Sequence, residues 1–293
     1  MGRGLHQDSK DLIRRAYDVL AEEHPSGVRR VCYAIFGNQA GEWTGKMGGL
    51  ITRARKDGTI PWDWISDESR PRREPFVVED HGGLVASMSA VPDFDPWPSQ
   101  GIRVEAWSEK SVGGTLAPVL DAYLVPFQVH HGFTSTTVLQ ETARATKRDP
   151  RKLVILYVGD HDPTGLFISE ADIPKRLLEL GASNFEVRRL AIIGKDLKAL
   201  AEFKDPIKKA DTRASWYQKT TGLKDGVELE AMSSNVLRER VEAAVKTCIT
   251  DVDAWDRIVH TSRVVRESWL AYTKRWRPGV SIPGLLPEYG AGA

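Results

Sequence analysis

The chain has 293 residues, of which 41% are hydrophobic, 8% aromatic and 28% charged, and its formal net charge at pH 7 is +1. This composition is ordinary for a globular protein, and the length predicts two domains. Because the net charge is close to zero, total charge gives no argument for a nucleic-acid partner, although arginine and lysine are concentrated in residues 1–75.

The cysteines and the apolar pattern exclude several classes of protein. Cys32 and Cys248 are far apart and show no C-x-x-C or Cys/His spacing, which argues against a disulfide framework and a zinc site and favours a reducing compartment. The chain contains no run of about 18 apolar residues. Its first ten residues lack the apolar core of a signal peptide. We therefore expect a cytoplasmic protein with no membrane partner.

Residues 1–70 predict three short helices followed by a hairpin-like segment. Apolar residues recur at helical spacing in residues 12–20, 28–36 and 47–54, and a turn at residues 57–59 leads into an extended piece. This order is typical of a winged-helix DNA-binding domain, whose third helix meets DNA. The candidate DNA-binding residues on or beside that helix are Lys46, Arg53, Arg55 and Lys56. A small helical packing module with a solvated basic face is the alternative.

A proline-rich stretch, residues 71–100, predicts a linker, and beyond it strands and helices alternate. Strands are predicted at residues 102–109, 125–130, 153–159 and 185–193, and helices at residues 111–123, 135–147, 169–180 and 195–203. This alternation predicts an α/β domain over residues 101–250, with a four-stranded parallel sheet and helices on both faces. Residues 204–226 are predicted to be a loop, residues 233–276 to be helical, and residues 251–293 to form a C-terminal helix and tail.

Carboxylates follow two of the predicted strands. Glu109 ends the first strand, and Asp160 and Asp162 directly follow the third. Because ligands of parallel sheets gather at the carboxyl ends of the strands, these groups predict a site for Mg²⁺, with Mn²⁺ as a substitute. Glu109 either completes the metal shell or acts as general acid or base. Alternatively, Asp162 before Pro163 is only a helix N-cap, and Asp160 only caps a turn.

Other polar residues lie near the same strand ends. Lys110 is a candidate phosphate ligand, although an exposed lysine with no such role is the commoner case. His130, His131 and His161 lie near strand ends and could touch a substrate. They show no spacing to carboxylates or cysteines that is typical of a metal or catalytic site, and we interpret them as polar lining.

The Glu109 strand, the segment Gly159-Asp160-His161-Asp162-Pro163-Thr164-Gly165 and the four-strand alternation resemble a Toprim domain. That domain is the metal-binding unit of topoisomerases, primases and certain nucleases. More narrowly, the chain resembles the A subunit of type IIB topoisomerases, the topoisomerase VI type, and the meiotic double-strand-break transesterase. It is also similar to uncharacterised phage and actinobacterial proteins. The resemblance covers roughly residues 26–245 and is weakest around the tyrosine described next.

The resemblance implies a catalytic tyrosine in the winged-helix domain. The family motif has basic residues followed by two aromatic residues, and Arg29-Arg30-Val31-Cys32-Tyr33 matches it with Cys32 replacing the first aromatic. Tyr33 is therefore the candidate nucleophile. Arg30 is a candidate catalytic residue that activates the hydroxyl, and Arg29, also able to do so, is a candidate DNA-binding residue. Residues 228–232 resemble a later acidic motif, which makes Glu228 a possible accessory group. Arg213 lies in a segment shared with the phage proteins.

The resemblance implies a magnesium-dependent, topoisomerase-like enzyme that cleaves double-stranded DNA as a homodimer. Tyr33 of one subunit would attack a phosphodiester while the carboxylates of the other hold the metal. There are two alternatives. One is a hydrolytic nuclease in which Tyr33 is structural, and the other is a non-catalytic DNA-binding protein of a mobile element. The chain has no G-x-x-x-x-G-K-[ST] motif, so strand passage would need a separate ATPase subunit. We expect a bacterial or phage-encoded, nucleoid-associated protein.

Overall fold

The computed structural model describes residues 7–66, 83, 86–87, 93–208 and 211–275. The described chain divides into two compact units. The first contains the residues up to 66 together with residues 100–250, and the second contains described residues of 72–99 together with residues 251–275. The N-terminal helices and the sheet thus belong to one unit. The predicted boundaries at residues 70, 100 and 250 stay predictions, and most of the predicted linker lies outside the described residues.

The three N-terminal helices are confirmed. They are α1 (Gln7–Glu23), α2 (Val28–Phe36) and α3 (Ala40–Lys56). Their apolar stripes pack together, with Leu20, Val31 and Met47 fully buried. α2 ends at Gly37, whose φ of 56° is in the region that favours glycine.

The predicted hairpin is not formed by residues 57–66. The chain there makes a turn, a short 3-10 helix (Trp62–Trp64) and a single parallel bridge between Ser26 and Ile65. Ile60 and Ile65 are 0% and 8% exposed, so this segment packs its apolar side chains inward instead of extending as a two-stranded wing.

The predicted four-stranded parallel sheet is also confirmed. Its strands are β1 (Ile102–Ser108), β2 (Phe127–Val129), β3 (Lys152–Val158) and β4 (Phe185–Ala191), in the order β2-β1-β3-β4. In β3, every residue from Leu153 to Val158 is at most 3% exposed. A continuous apolar run of this kind is expected for a central parallel strand that is covered on both faces.

Helices flank the sheet. They are α4 (Gly113–Ala122), α5 (Thr136–Arg148), α6 (Pro163–Phe167) and α7 (Ile173–Glu179). Leu139 of α5 and Leu177 of α7 share one buried cluster with Trp107 and Ile155 of the sheet. The helix predicted at residues 169–180 begins with a π-helical turn (Ile168–Asp172), which separates α6 from α7.

Two predictions downstream of β4 were wrong. Residues 195–203 form two 3-10 helices (Gly194–Lys198 and Ala201–Phe203), not an α-helix. The Asp196 carboxylate accepts a hydrogen bond from Ile193 N–H and pairs with Arg240, which holds this segment in a tight turn.

Residues 204–208 and 211–226 contain more regular structure than the predicted loop. They contain β5 (Asp205–Pro206), α8 (Ala214–Thr221) and β6 (Asp225–Gly226), with β5 and β6 antiparallel. Tyr217 is 0% exposed, and its burial fixes α8 against the rest of the first unit.

The C-terminal part is helical, as predicted, in two helices, α9 (Ser234–Thr247) and α10 (Val252–Thr273). α9 contacts α4 and β4 in the first unit. α10 belongs to the second unit, and Asp251 caps it by accepting a hydrogen bond from Ala254 N–H at 2.8 Å. Among the described helices, none combines the length and the apolar character needed to cross a bilayer.

Candidate functional site

The parallel pairing of β1 with β3 brings Glu109 to Asp160. Ser108 lies beside Val158 in the register, so the residues that follow leave the sheet at the same edge. Glu109 Oε1 accepts a hydrogen bond from the Asp160 backbone N–H at 2.8 Å. Both side chains are buried, at 8% and 6% exposure. The two predicted site residues therefore meet at the carboxyl ends of adjacent strands.

The two glycines of the segment around Asp160 make room for Glu109. A Cβ atom on Gly165 would lie 2.5 Å from the Asp160 carbonyl oxygen and 2.7 Å from Glu109 Oε1. A Cβ atom on Gly159 would lie 3.0 Å from the same carboxylate oxygen and 2.8 Å from the Tyr157 ring. Glycine at both positions is thus required by the close approach of Glu109.

Asp162 caps a helix, which was the alternative interpretation of this residue. Its Oδ1 accepts a hydrogen bond from Gly165 N–H at 2.7 Å, and Pro163 occupies the first position of α6. Asp162 is still close enough to act on Glu109 electrostatically. Burial is the main cause that raises the pKa of Glu109, and the negative charge of Asp162 raises it further.

Lys110 is paired with Asp160. Its Nζ lies 2.7 Å from Asp160 Oδ2 and 3.9 Å from Glu230 Oε2. The other carboxylate oxygen of Asp160 accepts a hydrogen bond from Leu229 N–H at 2.8 Å. Burial raises the pKa of Asp160 to about 7, and the charge of Lys110 opposes this rise. The predicted phosphate ligand is therefore a counter-ion of the carboxylate site in this structure.

Tyr33, on α2, reaches the same site through Glu228. The hydroxyl group donates to Glu228 Oε2 at 2.6 Å, and Arg29 Nε donates to the same oxygen at 3.0 Å. Arg29 Nε also lies 3.6 Å from Glu230 Oε1. Tyr33 is 3% exposed, and burial followed by the contact with Glu228 raises the pKa of its hydroxyl.

These contacts form one polar network within a single chain. It runs from Tyr33 through Glu228, Arg29, Glu230 and Lys110 to Asp160 and Glu109. The resemblance implies that tyrosine and carboxylates come from different subunits. Here they are connected in the same subunit.

Arg30 takes part in a different set of contacts. Its guanidinium forms a two-pronged pair with Glu23 of α1, with distances of 2.8 and 3.0 Å, and Nη1 donates to the Glu230 carbonyl oxygen at 3.0 Å. Arg30 thus ties α1 and α2 to the segment that carries Glu230. These contacts position the network and do not include the Tyr33 hydroxyl.

Sequence reasoning missed Arg189, which holds the loop after β3. This arginine on β4 donates to the carbonyl oxygens of Gly159, Asp160 and Gly165 and to Ser169 Oγ. Its guanidinium lies over the Tyr157 ring at 5.6 Å. The available signal was an arginine near the apolar end of a predicted strand, since an arginine that is partly buried there needs several acceptors.

Residues 217–227, which follow β4 in the chain, pack on this loop at His161. The His161 N–H donates to the Val227 carbonyl oxygen at 2.8 Å, and Nδ1 lies 2.8 Å from the Tyr217 hydroxyl. Burial lowers the pKa of His161. His161 is therefore a buried docking residue, where the sequence predicted polar lining, and Tyr217 was missed.

The predicted DNA-binding residues of α3 differ in their surroundings. Lys46, Arg53 and Lys56 are exposed. Arg55 is half-buried, donates to the Trp62 carbonyl oxygen at 2.8 Å and stacks over the Trp62 ring. Arg213 packs over the ring of Phe133 at 4.7 Å.

Across the described residues, no group of three or more His, Cys, Asp or Glu side chains is arranged to hold a metal ion. The donor chemistry nevertheless fits Mg²⁺, because Glu109, Asp160 and Glu230 offer carboxylate oxygens. The buried Glu230 Oε2 has no hydrogen-bond partner in the described part of the chain. The ammonium group of Lys110 already stands beside Asp160, so this position accepts a cation.

Two cavities adjoin the network. One, of about 370 Å³, is lined by Glu109, Lys110, Arg29, Glu230 and the beginnings of α2 and α4. The other, of about 420 Å³, has an acidic lining that includes Asp162, Asp205, Asp211 and Glu228. Arg29, Arg30 and Lys110 give the first cavity positive charge, which suits a phosphate group.

No protein-family model, curated protein or solved structure matches this chain.

Proposed function

We propose that this protein is a Toprim-type, metal-dependent enzyme that cleaves DNA by attack of Tyr33 on a phosphodiester, as in a topoisomerase. The polar network within the first unit carries this proposal. It joins a tyrosine hydroxyl, through Glu228 and Arg29, to carboxylates at the carboxyl ends of two parallel strands. These groups would serve as nucleophile, proton acceptor and ligands of a cation.

The proton of the Tyr33 hydroxyl would pass to Glu228 Oε2, which already accepts a hydrogen bond from it at 2.6 Å. The Tyr33 Oη–P bond forms, and the P–O bond to the neighbouring sugar breaks. Glu109, whose pKa is raised by burial, would give a proton to the leaving oxygen. Arg29 and Lys110 line the adjoining cavity and would hold the phosphate oxygens there.

Asp160 and Glu230 would hold Mg²⁺ or Mn²⁺ while Glu109 acts as the proton donor. When bound, the ion supplies positive charge that stabilises the oxygens of the reacting phosphate. Asp162 supports this group through its charge while its Oδ1 caps α6. Each ligand is an oxygen atom, as Mg²⁺ prefers.

We infer that α1 to α3 form the helical part of a DNA-binding region of the winged-helix type, in which residues 57–66 do not supply the hairpin. The exposed Lys46, Arg53 and Lys56 on α3 would contact the phosphate backbone of a duplex. A homodimer would cut both strands, and strand passage would require a separate ATPase subunit.

A hydrolytic nuclease is the second candidate. It is favoured by the 3% exposure of Tyr33 and by the raised pKa of its hydroxyl, which keep the tyrosine protonated and enclosed. In this candidate a water molecule attacks the phosphodiester, and Tyr33 only positions Glu228.

The test uses supercoiled plasmid with Mg²⁺ or Mn²⁺, quenched with detergent and divided into samples with and without protease. The variants are Tyr33→Phe, Asp160→Asn and a matched control, Tyr123→Phe, whose hydroxyl donates to Glu242 at 3.1 Å outside the network. We expect breaks that stay bound to protein until protease treatment and that disappear in Tyr33→Phe but not in the control. Free ends that persist in Tyr33→Phe and disappear in Asp160→Asn would establish the nuclease instead.

A further inference from the structure

We propose that Lys110 links cation binding to phosphate binding, because its ammonium group occupies the cation position at Asp160 and moves to a DNA phosphate when a divalent cation arrives. This inference rests on the proposed function. It adds a role for a residue that would otherwise be only a phosphate ligand.

The contacts of Asp160 leave one oxygen for a cation. Oδ1 is engaged by Leu229 N–H, and Oδ2 lies 2.7 Å from Lys110 Nζ. Glu230 faces the same ammonium group at 3.9 Å. A divalent ion and an ammonium group cannot both stand this close to Oδ2, since two positive charges a few ångströms apart repel strongly in a buried site.

The adjoining cavity offers the ammonium group of Lys110 a second position. Lys110 lines the cavity of about 370 Å³ together with Arg29, Ser111 and His131. The lysine side chain is long and flexible and carries three donors, so a modest rotation can move its charge from Asp160 into this cavity. A phosphate group there would receive the ammonium that the divalent ion displaces.

The exchange makes the two binding events mutually favourable. Without DNA, a divalent ion must displace Lys110 from Asp160 with no compensating contact, so its affinity is low. With DNA, the displaced ammonium gains a phosphate. By thermodynamic reciprocity, the ion then strengthens DNA binding by the same factor.

The test measures Mn²⁺ affinity by electron paramagnetic resonance on the Tyr33→Phe background, with and without a short DNA duplex. The pH is alkaline, so that the carboxyl groups are ionised, and a gel verifies that the DNA stays intact. Lys110→Met is compared with Lys110→Arg, which keeps the charge. The matched control is Lys175→Met, whose side chain is 74% exposed and pairs with Glu179 on α7.

We expect DNA to tighten Mn²⁺ binding in the parent protein, the control and Lys110→Arg. Lys110→Met should bind Mn²⁺ roughly tenfold more tightly without DNA, within the usual range for linked sites, and DNA should add nothing further. Unchanged or weaker Mn²⁺ binding in Lys110→Met, with binding still abolished by Asp160→Asn, would overturn this inference and leave the proposed function standing. Absence of Mn²⁺ binding in every protein would overturn both.

Discussion

Gly165→Ala provides the sharpest test of the packing around Glu109. The added methyl group would lie 2.5 Å from the Asp160 carbonyl oxygen and 2.7 Å from Glu109 Oε1. The carbonyl group cannot move aside easily, because it accepts a hydrogen bond from the half-buried Arg189. The substitution must therefore displace Glu109, the backbone of the loop, or both.

The size of the effect follows from two opposing contributions. Alanine is better than glycine in a helix interior by about 1 kcal/mol. Overpacking of a tight site costs typically 1–3 kcal/mol. Gly165 lies near the beginning of the short α6, so its replacement by alanine gains less than the full difference in helix preference. We expect Gly165→Ala to lower the free energy of unfolding by about 1–2 kcal/mol, within that overpacking range.

The matched control is Gly49→Ala in the middle of α3, where an added Cβ meets nothing within 4 Å. This variant should gain up to about 1 kcal/mol from helix preference alone. Both are measured by urea unfolding followed by tryptophan fluorescence, together with plasmid cleavage, which should fall only in Gly165→Ala. A Gly165→Ala protein as stable as the control would refute the reasoning.

Three further predictions use the same unfolding assay. Burial lowers the pKa of His130 from 6.5 to about 4 in the folded protein. The folded state therefore binds the His130 proton less readily than the unfolded chain does, and its free energy of unfolding falls as the pH drops from 6.5 toward 4. His130→Phe should reduce this pH-dependent loss of stability. An unchanged dependence of the free energy of unfolding on pH in the variant would contradict this prediction. Arg30→Met should cost about 3 kcal/mol, because it removes the ion-pair partner of Glu23, whose side chain is only 12% exposed. Adding Glu23→Gln should recover part of that cost, and full stability of the single variant would show the pair to be dispensable. Arg189→Lys keeps the charge but loses the fork that holds several acceptors, so it should cost about 3 kcal/mol and reduce cleavage. A loss below about 1 kcal/mol would mean that a single amine satisfies these acceptors.

The sheet and the meeting of Glu109 with Asp160 could be predicted, because both depend on local pattern. The apolar run of β3 indicates a strand covered on both faces, and alternating helices require parallel neighbours. Residues at equivalent strand ends then meet at one edge. The segment from β5 to β6 could not be predicted in this way. Its sequence is polar because most of it is exposed, and its structure depends on the burial of Tyr217 and on the pairing of His161 with Val227.

Arg29 and Arg30 show where sequence reasoning about the site stops. The two arginines are adjacent, so on a helix they point about 100° apart. One pairs with Glu228 in the network, and the other pairs with Glu23 of α1. Glu228 lies far along the chain from Arg29. The sequence pattern identified a basic pair next to Tyr33, but only the folded chain distinguishes the network residue from the positioning residue.

The π-helical turn between α6 and α7 sets a length that the site depends on. The buried residues around it, Ile168, Ile173 and Leu177, are spaced by five and then four positions, and the wide turn absorbs the extra residue. Loss of one residue from Ile168–Asp172 would restore ordinary helix geometry but rotate α7 by about 100° relative to the loop that carries Asp160. Either the apolar face of α7 or the carboxylate loop would then be out of place. The turn is thus a spacer of fixed length. It lets the apolar face of α7 pack on the core while the loop that carries Asp160 stays at the edge of the sheet.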